Sequence, residues 1–437
     1  MARKRSRIPL NVYLNSRLVG QLTRQTTGAI DFRYDQSWLD WEHSFPVSLS
    51  LPLREDRYIG DPVIAVFDNL LPDNIDIRRK LAERSHADGA DAFSLLGAVG
   101  RDCVGALQFL PEGDEPGEAG AIDARPATDD KIAAILGDLA SAPLGVGEDE
   151  EFRISLAGAQ EKTALLYWKN KWHIPHGTTA TTHILKPEIG PRDDGIDLTL
   201  SVENEHLCMK LIAALGMPIA DTAMATFGKK KVLVVERFDR RWTKDKRLLR
   251  LPQEDCCQAM GVPPERKYEN QGGPGVPDLI GLFKSSDDPS HDQKLAMKAQ
   301  VVFWLLAATD GHAKNFSLFL HPGSRFSMAP LYDVMSLQPI FDAKQLTRRQ
   351  MKMAMAVGKK RRYRLFDILP RHFLQTAELC GMGESIVQEI FTELLKDSDN
   401  AIEKTVAAMP KGFPASITDS IIGGYKARLP QIERFLS

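Results

Sequence analysis

Asp310, Asn315 and Asp333 are the residues whose types and order in this chain could carry out chemistry. Thr309-Asp310-Gly311-His312-Ala313-Lys314-Asn315 is a short polar loop. Tyr332-Asp333 follows it after two β-like runs, Phe316–Leu320 and Arg325–Ala329, joined by His321-Pro322-Gly323-Ser324. That turn composition between apolar runs predicts a hairpin. An Asp, an Asn five residues on, and a second Asp returned by a hairpin form the order that magnesium-dependent phosphoryl transfer requires. One carboxylate orients the attacking hydroxyl, while an amide oxygen and the second carboxylate hold Mg²⁺ on nucleotide phosphates. The D-x-x-x-x-N spacing is the one such catalytic loops use. Turns favour Asp and Asn for their own sake, so the spacing draws its meaning from its flanks.

The preceding flank, Lys294 to Ala308, carries Leu295, Met297, Val301, Val302, Phe303, Trp304, Leu305 and Leu306 and predicts a mostly buried helix that delivers the loop. Upstream, Arg153 to Tyr167 could be β–loop–β with small residues at its bend, a pattern starting from Phe152. Small side chains let backbone N–H groups approach phosphates, although G-x-x-x-x-G-K-[ST] is absent and an ordinary hairpin tip has the same composition. Thr182–Pro187 predicts a strand ending in Lys186. Ser201 opens a helix to about Leu215, ended by Gly216. Glu203 and Glu205 lie two apart on that helix, so at most one faces Lys186, and Glu205 is preferred. Lys231–Val235 predicts a strand running into Glu236-Arg237-Phe238.

The remainder predicts scaffolding. Ile8–Leu14 and Leu18–Leu22 flank a hairpin signal, Asn15-Ser16-Arg17. Pro62–Leu71 and a second segment to about Arg84 are helical. Pro111–Gly120 is a solvated linker, and Thr128–Leu139 a short helix. Tyr268–Pro277 is surface loop. From Asp278 onward the chain is expected to be mainly helical apart from the hairpin, with a break at Pro410–Pro414. Lys359-Lys360-Arg361-Arg362-Tyr363-Arg364 could neutralise phosphates, or be a solvated loop.

Composition bounds the answer. The 437 residues allow two or three domains, and 43% hydrophobic with 26% charged residues is ordinary for a soluble globular protein. A net charge of -2 excludes a molecule that binds nucleic acid by overall charge. No apolar run reaches transmembrane length, and Met1-Ala2-Arg3-Lys4-Arg5 lacks the apolar core of a signal peptide. Five cysteines without CxxC spacing are expected to be reduced thiols in a cytoplasmic protein.

Taken together, Ser155-Leu156-Ala157-Gly158-Ala159-Gln160-Glu161-Lys162-Thr163, Lys186-Pro187, Glu236-Arg237-Phe238-Asp239, Asp310 to Asn315 and Tyr332-Asp333 resemble the HipA family of toxin kinases from bacterial toxin–antitoxin modules. Phe67-Asp68-Asn69-Leu70-Leu71-Pro72-Asp73-Asn74 is similar to that family's N-terminal region, so the resemblance covers nearly the whole chain. It implies an α+β, bilobed protein-kinase-like fold with an extra N-terminal subdomain and an all-helical C-lobe. The divisions would be 1–112 for the N-terminal subdomain, 113–150 for the linker and short helix, 151–258 for the N-lobe, and 259–437 for the C-lobe.

The resemblance also implies a serine/threonine kinase using ATP and Mg²⁺ on a protein substrate, in the best-known relatives glutamyl-tRNA synthetase. Asp310 would be the catalytic base, and Asn315 and Asp333 the metal ligands. ATP would meet Ala157, Gly158, Ala159, Gln160, Glu161, Lys162, Lys186, Glu236, Arg237, Phe238, His312, Ala313, Lys314, Asn315, Tyr332 and Asp333. Ser155 matches the family's autophosphorylation position. A separate helix-turn-helix antitoxin dimer would place the kinase on operator DNA as corepressor, with Lys359, Lys360, Arg361 and Arg362 as candidate DNA contacts. The competing reading is a catalytically retired subunit of a DNA-bound repressor. Intact Lys186, Asp310, Asn315 and Asp333 argue against it.

Overall fold

The computed structural model describes residues 8–146 and 153–437. Met1–Arg5, residues 147–150 of the expected linker, and Phe152 lie outside that range. The chain divides into two compact units, one of Met1–Pro187, Ala225–Glu265 and Leu318–Phe326, the other of Glu188–Met224, Arg266–Ser317 and Ser327–Ser437. The N-terminal subdomain and the lysine strand therefore share a unit, whereas the helix opened by Ser201 belongs to the other.

The first unit opens with the expected hairpin, Leu10–Leu14 against Arg17–Arg24. Leu14 pairs with Arg17, so the turn is two residues, Asn15 and Ser16, both left-handed (φ 46 and 67). Such turns match the twist of the strands they join. The hairpin belongs to a five-stranded sheet ordered Tyr58–Ile59, Ile30–Tyr34, Arg17–Arg24, Leu10–Leu14, Leu107–Pro111. Phe32, Phe67 and Phe109 form a buried edge-to-face chain (5.4 and 5.5 Å), the geometry that ring quadrupoles favour. The helix of Pro62–Leu71 ends earlier than expected: Asp61–Phe67 is α-helical, and Asp68–Leu70 tightens to a 3-10 turn. Asn74 then caps the helix Ile75–Arg84 through its side chain, accepting from Asp76 N and Ile77 N. A second sheet runs Lys230–Glu236, His183–Pro187, Thr163–Trp168, Lys171–Pro175, Ala124–Pro126, all antiparallel neighbours. On the N-terminal side of the small-residue loop the described residues form only a bridge, Ile154 with Asp102.

The second unit is built on the predicted helix, observed as Pro289–Leu306 and buried along most of its length. Its carboxyl end is finished by other elements, because the last carbonyls of a helix lack partners within it. Arg428 donates to Leu305 O through Nε (3.0 Å) and Nη2 (2.9 Å), and Ser336 Oγ donates to Leu306 O. Ala307 turns left-handed (φ 53) and the chain leaves for the polar loop. The helix Ser201–Ala214 fixes the return: Asn204 and the backbone of Ser336 exchange two hydrogen bonds, 2.8 and 2.9 Å. Helices Pro370–Cys380, Glu384–Ala408 and Ala415–Leu436 complete the unit, with the expected break between the last two. The mainly helical expectation overlooked a hairpin, Lys352–Val357 against Arg362–Arg364. Among the described residues, no helix is long and apolar enough to cross a membrane. All five cysteines are buried, and none forms a disulfide.

Candidate active site

Asp310 is exposed at the head of a loop whose other residues, His312 to Asn315, are buried. Gly311 is required by close approach, since a Cβ there would lie 2.5 Å from the Phe303 ring of the delivering helix. His312 N donates to Asp310 O (2.8 Å) and Asn315 N to His312 O (2.9 Å), which tightens the turn. Tyr268 Oη donates to Asp310 Oδ1 at 2.7 Å, and its ring meets His312 edge-on at 5.0 Å. The carboxylate is therefore already in use as an acceptor of a hydroxyl proton.

The hairpin returns Asp333 to Asn315. Asn315 Nδ2 donates to Asp333 O (3.3 Å), leaving Oδ1 as an acceptor. Tyr332 Oη donates to Lys314 O (2.6 Å) and shares a hydrogen bond with Ser317 Oγ (2.6 Å). Asp333 is left-handed, φ 61, a conformation costly for most residues, tolerated by Asp and Asn, and concentrated at functional sites. An amide oxygen and a carboxylate are hard donors suited to Mg²⁺. Among the described residues, no group of three or more His, Cys, Asp or Glu could hold a metal. Mg²⁺ held by one or two protein oxygens ordinarily completes its shell with water and phosphate oxygens.

In the first unit, the loop Ala157–Lys162 is pinned at several points. Gly158 has φ 103, and Lys162 Nζ donates across the loop to Ala157 O at 2.6 Å. Gln160 Nε2 reaches Pro187 O (3.1 Å) at the end of the strand that carries Lys186. The Leu70–Asp73 segment holds the loop from the N-terminal side: Asp73 N donates to Gly158 O (3.1 Å), and Ser155 Oγ donates to Leu70 O (2.8 Å). Ser155 is fully buried. Lys186 is 7% exposed, opposite Leu233 on the neighbouring strand.

Some expected residues are engaged elsewhere. Arg237 is committed to a buried ion-pair cluster: its N–H donates to Thr182 O (2.9 Å), and its guanidinium to Asp102, Asp239, Thr181 and Cys103 O. Phe238 packs edge-on against Phe319 (5.7 Å), and Glu236 is exposed. Ala313 is completely enclosed. Glu203 and Glu205 are both buried on the helix Ser201–Ala214. Lys359 pairs with Glu378 (2.7 Å) and Arg361 with Glu269 (3.0 Å), while Lys360 and Arg362 make no ion pair among the described residues. Tyr268 was not legible as part of the site. Its one signal is an aromatic residue in an otherwise polar, Gly-rich loop.

Comparison with known proteins agrees with this arrangement. The HipA N-terminal domain matches residues 10–110, and the HipA-like C-terminal domain residues 154–402. Y4mE of Sinorhizobium fredii is 37% identical over 91% of this chain and 91% of its own length. The serine/threonine-protein kinase toxin HipA of Shewanella oneidensis is 28% identical over 98% of this chain and 96% of its own. A solved complex of Shewanella oneidensis HipA, HipB and operator DNA contains a chain matching with TM-score 0.81 at 24% identity, covering 98% of this chain and 99% of that one. The fold is therefore the α+β kinase-like fold of that structure. The chain belongs to the HipA family, and it is a protein kinase.

Proposed function

We propose that this kinase transfers the γ-phosphoryl group of ATP to a serine or threonine of a protein, and that it works with a helix-turn-helix antitoxin dimer on operator DNA. The observation that carries the reading is the single loop that holds Asp310 and Asn315, with Asn315 bonded to Asp333. Asp310 would orient the attacking hydroxyl and take its proton during transfer; in this structure it already accepts a hydrogen bond from a hydroxyl, that of Tyr268. Asn315 and Asp333 would hold the metal, and Lys186 with the 157–162 loop would hold phosphates. The bound Mg²⁺-nucleotide supplies the phosphoryl group and the charge that offsets its transfer. The match to a chain solved with HipB and operator DNA supports the partnership, and the resemblance to HipA kinases makes glutamyl-tRNA synthetase the first substrate to try. Incubation with γ-labelled ATP, followed by mapping of incorporated phosphate, tests the reading. No label on this chain or on any offered protein would overturn it.

Ser155 is the proposed autophosphorylation position, and its burial sets the consequence. A phosphate of charge about -1.5 to -2 cannot replace a hydroxyl that donates to Leu70 O, because the anion has no proton to give and would face a carbonyl. The Ser155 end of the loop must leave its seat, and Gly158 O loses its bond from Asp73 N. Phosphorylated protein is expected to bind ATP at least tenfold more weakly than unphosphorylated protein by calorimetry. Equal affinities would remove the autoinhibition, and phosphate found only elsewhere would remove Ser155 from it.

A further inference from the structure

The hairpin that returns Asp333 is gripped by the N-terminal subdomain. Gln253–Asp255 neighbours Ser317–His321 in a three-stranded sheet, and Leu320 N donates to Pro252 O (3.0 Å). Ser317–His321 leaves the loop directly after Asn315 and Phe316. The segment 44–51 holds both partners of this pairing. Ser44 O accepts from Gly323 N at the hairpin turn (3.2 Å), and Ser48 Oγ and Ser50 Oγ donate to Gln258 O (3.1 and 2.7 Å). Gln258 completes a capping box with Asp255 and donates through Nε2 to Val66 O (3.0 Å). The segment 44–51, Pro252 to Gln258, and Leu318–Phe326 all lie in the first unit. At the centre of the grip sits the buried side chain of Glu254. Its Oε1 accepts from Leu49 N (2.8 Å), Ser48 lies beside it, and Oε2 has no hydrogen-bond partner. The charge acting on it is that of Asp255, while Tyr34 of the first sheet and Cys256 of the following helix feel its own. Burial among acids and neutral groups favours the uncharged form and pushes this carboxyl up to about 8.

We propose that Glu254 is a positioning residue for phosphoryl transfer: as a neutral acid it seats the segment 44–51 against the strand beside the catalytic hairpin, and its ionisation loosens that seat and misplaces Asn315 and Asp333. This rests on the reading of those two residues as metal ligands. A carboxylate formed here has one backbone N–H and a serine in place of water, and it faces Asp255. Such an anion is relieved only by moving towards solvent, which costs the bond to Leu49 N and disturbs the strand Gln253–Asp255. The disturbance passes to the hairpin through Pro252 O and Leu320 N, and through Ser44 O and Gly323 N. The hairpin need not move far, because a misplacement of about 1 Å can cost on the order of 10² in rate. The N-terminal subdomain thereby makes phosphoryl transfer sensitive to alkaline pH without contributing a group that touches substrate.

The test compares the full chain with Glu254→Gln, which keeps an oxygen for Leu49 N and cannot ionise, and with Glu254→Ala, which leaves that N–H unpaired. Between pH 7 and pH 9, kcat/KM for Mg²⁺-ATP in the unaltered chain is expected to fall roughly tenfold and reversibly. Glu254→Gln is expected to rescue the alkaline limb, and Glu254→Ala to be impaired at both pH values. Stability follows the sign of the raised folded pKa. The unfolded chain ionises near 4.5 and the folded one near 8, so the unaltered protein loses stability as pH rises between the two. Glu254→Gln should therefore melt with the unaltered chain near pH 4 and a few degrees above it at pH 8. A purely structural role would give that melting difference with the same pH profile of kcat/KM in both proteins, and this result overturns the proposal, as does a flat profile in the unaltered chain. Hydrogen–deuterium exchange of residues 317–328 at pH 9 tells the causes apart. Faster exchange in the unaltered chain than in Glu254→Gln, with flat kinetics, places the failure in the metal-ligand reading. Equal exchange places it in the grip on the hairpin.

Discussion

Asp310→Ala is expected to lower kcat for phosphoryl transfer roughly 10²–10⁴-fold, the range typical of losing a positioned general base, with little change in KM for Mg²⁺-ATP. Asp310 is exposed and bonds through Oδ1 to Tyr268 alone, so its removal leaves no buried group without a partner. Asp333 calls for a different substitution. Its backbone is left-handed, where Ala is disfavoured, so Asp333→Ala would mix backbone strain with loss of charge. Asn tolerates that conformation, and Asp333→Asn removes only the carboxylate charge. That variant is expected to lose activity on a similar scale and also to raise KM for Mg²⁺-ATP, because a metal ligand acts on bound nucleotide before the transition state. Single-turnover assays with nucleotide binding measured separately distinguish the two profiles. Near-unaltered transfer by both variants would remove Asp310 and Asp333 from the machinery.

The same pair explains why the sequence was readable at this site. Asp310 and Asn315 are joined by one loop, Asp333 returns on one hairpin, and each local element carries its own signal: a buried helix, a polar turn, then Pro-Gly-Ser between two short strands. Contacts close in sequence leave patterns in sequence. The hairpin Lys352–Val357/Arg362–Arg364 failed that test, because Met351 and Met353 to Val357 are buried without alternation and only Lys352 is exposed. Such a run has no period of two and fits a helical expectation equally well. Tyr268 reaches Asp310 across 42 positions, a separation at which composition has nothing to report. The two compact units are likewise assembled from segments distant in sequence. The helix Ser201–Ala214 and the hairpin residues Leu318–Phe326 each lie in a unit other than the one their neighbours in sequence suggest.

The longest-range feature of the first unit carries the largest stability prediction. Asp102 is joined to Arg237, Arg240 and Arg250 at 3.3, 2.9 and 2.9 Å, with all four side chains almost wholly buried, across separations of 135 to 148 positions. Asp239 supplies the second carboxylate, to Arg237 and Arg240. Burial by itself would raise the carboxyl of Asp102, but the three guanidiniums outweigh it and hold the group well below the usual carboxylate range. Asp102→Ala leaves Arg237 and Arg240 sharing Asp239 and takes from buried Arg250 its carboxylate. Breaking a buried ion pair by removing one partner costs about 3–5 kcal/mol, and for 437 residues the expected fall in Tm at pH 7 is roughly 3–5 °C. A depressed folded pKa stabilises above the unfolded value near 3.8 and stops doing so as pH falls towards the folded one. The unaltered chain should therefore keep this contribution at neutral pH and lose it only in acid below about pH 4, and the gap between the two proteins should narrow there. Asp102 also anchors the start of the loop proposed to hold phosphates: its backbone carbonyl accepts from Ser155 N (3.0 Å), and its carboxylate accepts from Thr181 N (3.0 Å). The variant is accordingly expected to bind ATP more weakly even at temperatures where it remains folded. Thermal unfolding at pH 7 and pH 3, with ATP titration at 15 °C, reads both effects. A Tm within two degrees of the unaltered protein at pH 7 would mean that the cluster adds no net stability.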